Sequence, residues 1–436
     1  MDSTIFFNPV LVSIILLCIL CLCKVNVLLS IMISAITAGI CAKMNITEVM
    51  NTFISGMGNN SETALSYILL GAFAAAMTQT GLAGTLAKKI SKLIRNNKFI
   101  LFAILTLIAM MSQNLIPVHI AFIPILIPPL LQIMNILKID RRAVACCLTF
   151  GLKMPYIVIP AGFGLIFQGL IADNITQNGI DIVKADVWKS TTILGLGMFL
   201  ALLISIFISY RKPREYNNTE IIKKETLIND KFTKEHYITL FAAFATLMIQ
   251  LMTKSLPLGA LVGLGIIFGT GTIKHHKMDN LIDEGVGLMG YIAFVMLVAA
   301  GFAAVLKSTG GIETFVSSII NLIPANKLIA SAFMLLTGLF ITIGIGTSFG
   351  TIPILAVIFV PVCISLNFNP AETVAIIAAA AALGDAGSPA SDTTLGPTAG
   401  LNADGQHNHI WDTCIPTFLH YNIALILSAL ISVVVF

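Results

Sequence analysis

Charge is what this chain has least of. Lys, Arg, Asp and Glu make up 11% of its 436 residues, against about 25% in soluble domains. The deficit runs along most of the sequence. That excludes a soluble domain on a single anchor and leaves a polytopic membrane protein. The net charge of +4 is small, and the basic residues sit in short clusters between apolar runs. Such clusters orient a protein in a membrane and give no reason to expect nucleic-acid binding. There is no Walker-type phosphate loop, so nothing points to an ATP-driven pump. No nucleophile–base constellation is tied to hydrolysis, so no enzyme is expected. No basic stretch precedes the first apolar run and no A-x-A site follows it, so Pro9–Cys23 is read as a retained span. The eight cysteines fall almost entirely in apolar runs. Cys18 and Cys21 have metal or redox spacing but no nearby histidine or second pair, so they are read as small buried hydrophobes. No cofactor is expected, and no metal beyond Na+.

What the chain has in abundance is apolar segments. They fall near 9–23, 25–42, 63–80, 99–113, 115–135, 143–171 (broken at Pro155 and Pro160) and 188–209. After a stretch of mixed charge, Arg211–Glu235, they resume near 237–253, 256–273, 286–306, 328–345, 349–366, 372–398 and 411–436. The second set copies the first. Thr80-Gly81 recurs as Thr309-Gly310, and Pro124-Ile-Leu as Pro353-Ile-Leu, each 229 positions on. The chain's only tryptophans, Trp188 and Trp411, close the two copies. Two matches at one offset argue duplication. The expected organisation is a first transmembrane repeat over 1–210, a cytoplasmic linker over 211–236 and a second repeat over 237–436.

An odd number of spans per copy would set the copies in opposite orientations. The loops of the first half carry Lys88, Lys89, Lys92, Arg95 and Lys98, then Lys138, Arg141 and Arg142; the matching loops of the second half carry only Lys307 and Lys327. The positive-inside rule then makes the second repeat inverted. The predicted fold is an all-α polytopic membrane protein of two inverted-topology repeats, with broken or re-entrant helices at the midplane. Gly/Pro-interrupted apolar segments at matching positions are the sequence pointer to a transporter's site. Here they are Gly151-Leu-Lys-Met-Pro155 and Gly384-Asp-Ala-Gly-Ser-Pro389.

Four patches could carry chemistry. Gly384–Thr394 places Asp385, Asp392, Ser388, Ser391, Thr393 and Thr394 around Pro389. A charged side chain at the bilayer centre costs at least about 2.5–3.5 kcal/mol. Carboxylates, hydroxyls and unwound carbonyls are hard oxygen donors suited to Na+ or to a proton. A solvated loop is the bland reading. The second patch, Gly346–Thr351, offers Thr347, Ser348 and Thr351 for a substrate, or merely small residues for close helix packing. The third is its repeat partner, with Ser112, Gln113, Asn114 and His119; a lone histidine is more often a satisfied core residue than a ligand. The fourth is Lys153, whose natural counter-charge is Asp385 or Asp392, in a pair either structural or opened by a cation or a substrate carboxylate. His275-His276 and His407-x-His409 are read as solvated loop residues rather than metal ligands.

The run Gly384-Asp-Ala-Gly-Ser-Pro-Ala-Ser-Asp-Thr-Thr394 resembles the motif of the bacterial sodium/proton antiporter family within the ion transporter superfamily. Gly346-Thr-Ser-Phe-Gly-Thr351 is similar to that family's G-T-S-x-G-T. Gly151–Gly164 resembles a subgroup associated with amino-acid permeases, histidine permeases included. The resemblance implies binding roles for Asp385, Ser388, Ser391, Asp392 and Thr393. It also implies broken helices meeting at midplane, and a homodimer with elevator-like motion. Ala386-Gly387 departs from the more polar pair expected there, which loosens the transfer of ion specificity.

The expected function is a secondary active transporter of the inner membrane, multi-pass, driven by Na+ or H+. Its partners would be a small inorganic cation or a small organic solute, and membrane lipid. Sodium/proton exchange and ion-coupled amino-acid transport both stay open. A passive channel is the remote alternative, because the polar residues cluster at breaks and do not line a continuous path.

Overall fold

The computed structural model describes residues 8–23, 25–82, 85, 97–114, 123, 126–217, 232–253, 255–312, 314–315, 326–345, 347–389 and 391–436. Among them there are helices and no strand. This is the economical solution in lipid, where every backbone polar group needs a partner within its own segment. Among the described residues, five helices are long and apolar enough to cross a membrane, or six if one bent pair counts as a span.

In the first half, α1 (Pro9–Leu22), α2 (Val27–Cys41), α3 (Ile46–Met57) and α4 (Ser61–Gln79) precede α5 (Lys98–Asn114) and α6 (Pro128–Ile136). The bent pair follows, α7 (Arg141–Val158) and α8 (Phe163–Gln177), at 48° to each other. Then comes α9 (Val187–Ile204). The second half holds α10 (Lys234–Thr253), α11 (Leu256–Gly269), α12 (Met278–Ser308), α13 (Lys327–Ile345), α14 (Ser348–Ser365), α15 (Pro370–Ala382), α16 (Asp392–Leu401) and α17 (Ile415–Val435).

The duplication is written in the helix starts. Val27 and Leu256, Lys98 and Lys327, Arg141 and Pro370, and Phe163 and Asp392 open α2/α11, α5/α13, α7/α15 and α8/α16, each pair 229 positions apart. The copies are inverted. Helix α4 and α12, whose latter part is the counterpart of α4, run antiparallel: Gln79 donates to Glu284 at 3.3 Å, Gly71 lies against Gly285 and Met289, and Asn60, just before α4, donates to the Met296 carbonyl at 3.1 Å. The pair α9 and α17 repeats this, with Gly197 against Ser428 and Ser209 bonded to His420 at 2.9 Å.

One face gathers the 138–142 loop, the start of the linker and the 402–412 loop. Arg214 donates its N–H to the Lys138 carbonyl at 3.0 Å and its guanidinium to Asp412 at 2.7 Å. The fully buried Arg141 grips Asp404 and the Leu401 carbonyl at the end of α16. The opposite face holds Asn8 against Gly311, Lys307 against the Gln177 carbonyl, and Lys327 paired with Glu372. Helices α13 and α14 both have an end on that second face, so they form a hairpin whose tip, Thr347-Ser348, reaches inward. Helix α15 also enters from there; α16 leaves toward the first face.

One expectation is corrected here. Helix α7 runs unbroken through Gly151–Pro155. Proline inside a helix removes one hydrogen bond and crowds the preceding turn, which strains a helix without having to end it. Of the two expected breaks only the one at Pro160 forms, over 159–162: Ile159, which precedes Pro160, turns extended (φ −92°, ψ 117°), and Gly162 takes φ 56°. The second-half break is where the sequence placed it, between Ala382 and Asp392.

Candidate functional site

The second-half break opens with Gly384 at φ 78° and continues through Gly387 at φ 106°. Both angles lie in the left-handed region that favours glycine. A side chain at Gly387 would also bring its Cβ within 2.5 Å of Phe418. The turn frees backbone groups deep in the protein, and each freed group that stays unpaired would cost several kcal/mol. They are answered one by one. Asn422 of α17 accepts the Gly384 N–H at 3.0 Å and donates to the Ala386 carbonyl at 2.9 Å. Thr393 donates to the Asp385 carbonyl (3.3 Å), Thr394 to that of Ser388 (2.5 Å), and His409 meets that of Pro389 (3.0 Å).

Inside this frame lies an ion pair. Lys153 of α7 donates to Asp385; the ammonium-bearing side chain is 0% exposed and the carboxylate-bearing one 5%. The same Asp385 oxygen, Oδ2, receives the Ser348 backbone N–H at 3.2 Å, the Ser348 hydroxyl at 2.6 Å and the Tyr156 hydroxyl at 3.4 Å. Ser391 donates to Oδ1 and sits 2.8 Å from the Thr393 hydroxyl. Lys153 also donates to Ser348 Oγ at 2.9 Å. Ser348 opens α14, so the positive end of that helix points at the carboxylate. Thr149 of α7 holds the Thr393 carbonyl at 3.0 Å. An apolar wall of Tyr156, Phe163, Phe167, Phe349 and Tyr67, with neighbouring ring centroids 5.0–5.9 Å apart, closes one side.

Tyr156 and Asp385 are 229 positions apart, so they are each other's repeat equivalents, and they touch. The axis relating the two halves therefore passes through the site. Equivalent places hold a phenol in one copy and a carboxylate in the other.

The structure brings together Lys153, Asp385, Ser348, Ser391 and Thr393. Ser388 is buried beside them, its N–H donating to the Asp385 carbonyl at 3.3 Å. Two of the candidate hydroxyls donate within their own helices. The Ser112 hydroxyl turns back to the Ala109 carbonyl, and that of Thr351 to the Thr347 carbonyl; these bonds satisfy their own helices. Thr347 contributes this carbonyl and stands at the hairpin tip. His119 and the side chains of Gln113, Asn114 and Asp392 lie outside the described residues. Sequence reasoning missed Tyr156 and Asn422, which look like ordinary members of apolar helices. The arithmetic of the repeat would have found Tyr156. His407, read as solvated, is 2% exposed.

Chemically, the cluster holds a carboxylate ready for a cation, ringed by hydroxyl and carbonyl oxygens, with a lysine now serving as that cation. Breaking a buried pair by removing one partner costs about 3–5 kcal/mol. A replacement ion must supply that difference.

A sequence profile of the Na+/H+ antiporter family matches residues 147–433, and a second antiporter-family profile matches residues 8–94. An uncharacterized membrane protein of Vibrio parahaemolyticus is 46% identical over 98% of this chain and all of its own. Bacillus subtilis YuiF, named as a candidate amino acid transporter, is 44% identical over 98% of this chain and all of its own. Among solved structures, the Alcanivorax borkumensis YdaH transporter superposes with TM-score 0.59 at 12% identity, over 89% of this chain and 88% of that one. The Neisseria gonorrhoeae MtrF efflux pump gives 0.57 at 15%, over 88% and 84%. These two share the fold. With the broken helices and the profile match covering most of its length, the chain belongs to the Na+/H+ antiporter family and is a membrane transporter.

Proposed function

We propose that this chain is a secondary active transporter of the bacterial inner membrane. In this reading, H+ or Na+ exchanges with Lys153 for the carboxylate of Asp385. The observation that carries the proposal is the buried Lys153–Asp385 pair at the junction of the two inverted halves. In the state described here lysine neutralises the carboxylate. An arriving Na+ would find Asp385, Ser391, Thr393 and Ser348 oxygens within one cluster, and an arriving proton would neutralise Asp385 outright. Either releases the ammonium. Because α7 carries the lysine and the α15–α16 break carries the carboxylate, opening the pair loosens one half against the other. That gives alternating access a local trigger. Asp392 remains a second proposed cation ligand. The basic face with Arg141, Arg142, Arg211, Lys212 and Arg214 would be cytoplasmic, and a homodimer is the proposed assembly.

A second reading concerns cargo. A freed Lys153 suits a carboxylate, and YuiF is named for amino acids. Sodium/proton exchange and ion-coupled amino-acid movement then differ only in what Lys153 meets on release. Purified protein in proteoliposomes separates them. Na+-dependent dissipation of an imposed pH gradient supports exchange, and gradient-driven uptake of labelled amino acids, histidine included, supports the permease. If neither flux follows an ion gradient, the coupled transporter is refuted.

A further inference from the structure

Two neighbouring residues of α17 hold both partners of the ion pair. The buried Asn422 side chain accepts the Gly384 N–H at 3.0 Å and donates to the Ala386 carbonyl at 2.9 Å. It therefore grips the residue before Asp385 and the residue after it. Tyr421, fully buried, donates to the Cys146 carbonyl of α7 at 2.6 Å, on the helix that carries Lys153. One short stretch of α17 thus braces the backbone under the carboxylate and the helix that bears the ammonium.

The partners of Asn422 dictate its side chain. A backbone N–H needs an acceptor and a carbonyl needs a donor, and a carboxamide supplies both. A leucine would answer neither group, and an ionised aspartate only the first. The first half has no such two-point grip. Ala386 and Ile157 are repeat equivalents, 229 positions apart, and the Ile157 carbonyl is likewise met from α9, the counterpart of α17, by Thr191 at 2.7 Å. The equivalent of Gly384 is Pro155, which carries no N–H. A donor alone suffices there, and Ile193 stands where the repeat would put Asn422. The double grip occurs only in the half that holds the carboxylate.

We propose that Asn422 is a positioning residue that presets Asp385 for Na+, with Tyr421 holding α7 in register against it. This rests on the sodium-driven form of the proposed function. A lysine on its flexible four-carbon stem can follow a displaced carboxylate. A bare ion cannot, because it needs the Asp385, Ser391, Thr393 and Ser348 oxygens in one place at once. Loosening the brace therefore weakens the ion more than it weakens Lys153, and the apparent affinity for Na+ falls. Preorganisation of this kind acts on affinity because a rigid site has less order left to impose on binding.

The test uses full-length protein in proteoliposomes with radioactive Na+ as the probe, and reads flux against Na+ concentration. Asn422→Ala should raise the half-saturating Na+ concentration about ten-fold, equivalent to about 1.4 kcal/mol of binding, with a smaller fall in maximal flux per folded protein. Asn422→Gln, which keeps a carboxamide, should fall between this variant and wild type. Tyr421→Phe, which removes one oxygen and keeps the ring, should shift half-saturation in the same direction by less. If Asn422→Ala keeps the wild-type half-saturation, the positioning role is wrong. If maximal flux falls while half-saturation stays, Asn422 is structural and the proposal is again wrong. Should Asn422→Ala fail to fold, Tyr421→Phe decides: a raised half-saturation supports the brace and a wild-type value overturns it. Wild-type flux that ignores Na+ but follows a pH gradient overturns this inference and leaves the coupled transporter standing. Flux that follows neither gradient overturns both.

Discussion

The two helix breaks occupy matching places in the two halves and differ in almost everything else. The first, at 159–162, is Ile-Pro-Ala-Gly; its nearby Ile157 carbonyl is met by Gln168 at 3.2 Å and Thr191 at 2.7 Å, with no charge in the turn. The second, at 383–391, is longer and carries Asp385, Ser388 and Ser391, with four carbonyls answered from three elements. Inverted symmetry thus supplies the scaffold twice and the chemistry once. The positive charge comes from the unbroken part of α7 and the negative one from the second break. A symmetric site with a carboxylate in each half would place two like charges on the axis. The phenol of Tyr156 in place of a second carboxylate avoids that repulsion.

Removing one charge sharpens this contrast most. Lys153→Met should leave the buried Asp385 uncompensated and lower stability by about 3–5 kcal/mol. Adding Asp385→Asn should restore much of that loss without restoring transport. Thermal unfolding in detergent, alongside flux, reads both. Next comes the turn itself. Gly387→Ala meets both a left-handed φ and the Phe418 contact, and should cost about 1–3 kcal/mol, whereas Ala161→Gly in the first break should be tolerated. Tyr156→Phe removes the weakest of the Asp385 donors, at 3.4 Å. It should slow transport several-fold without abolishing it, as a neutral hydrogen bond worth about 0.5–1.5 kcal/mol implies.

The basic face gives smaller effects. Burial opposes ionisation of Asp404, but the Arg141 guanidinium overrides it and holds the carboxyl below its usual range. A depressed pKa contributes stability above the unfolded value, about 3.9, and loses it as pH falls through the folded one. Unfolding temperature should therefore be insensitive to Asp404 from neutral pH down to about 4, and Asp404→Asn should flatten the fall below that. Last, Lys138 and Glu215 pair in the open, 56% and 78% exposed. Lys138→Ala should leave both stability and flux unchanged within error.

Much of this was legible in the sequence. Scarce charge and recurrent apolar runs require membrane helices, and a fixed 229-residue offset reveals the duplication. Asp385 and Lys153 stand out because a charge in an apolar run needs a partner. The register of the first break was not legible. Two prolines, Pro155 and Pro160, both offered to end the helix, and only the second forces its neighbour out of helical geometry. Tyr156 and Asn422 were hidden because a phenol or amide in an apolar helix carries no signal until a neighbouring helix supplies its partner. The burial of His407 and the contact of His409 with the Pro389 carbonyl depend on the folding back of one loop, which no local pattern encodes.

The central claim is that Asp385 is the group on which the driving ion acts. Its most direct test is flux by Asp385→Asn in proteoliposomes, with Na+ and pH gradients imposed in turn at matched protein density. The account predicts that wild-type flux follows at least one gradient and that the variant, folded and inserted, follows neither. Gradient-driven flux at the wild-type level in Asp385→Asn would contradict it.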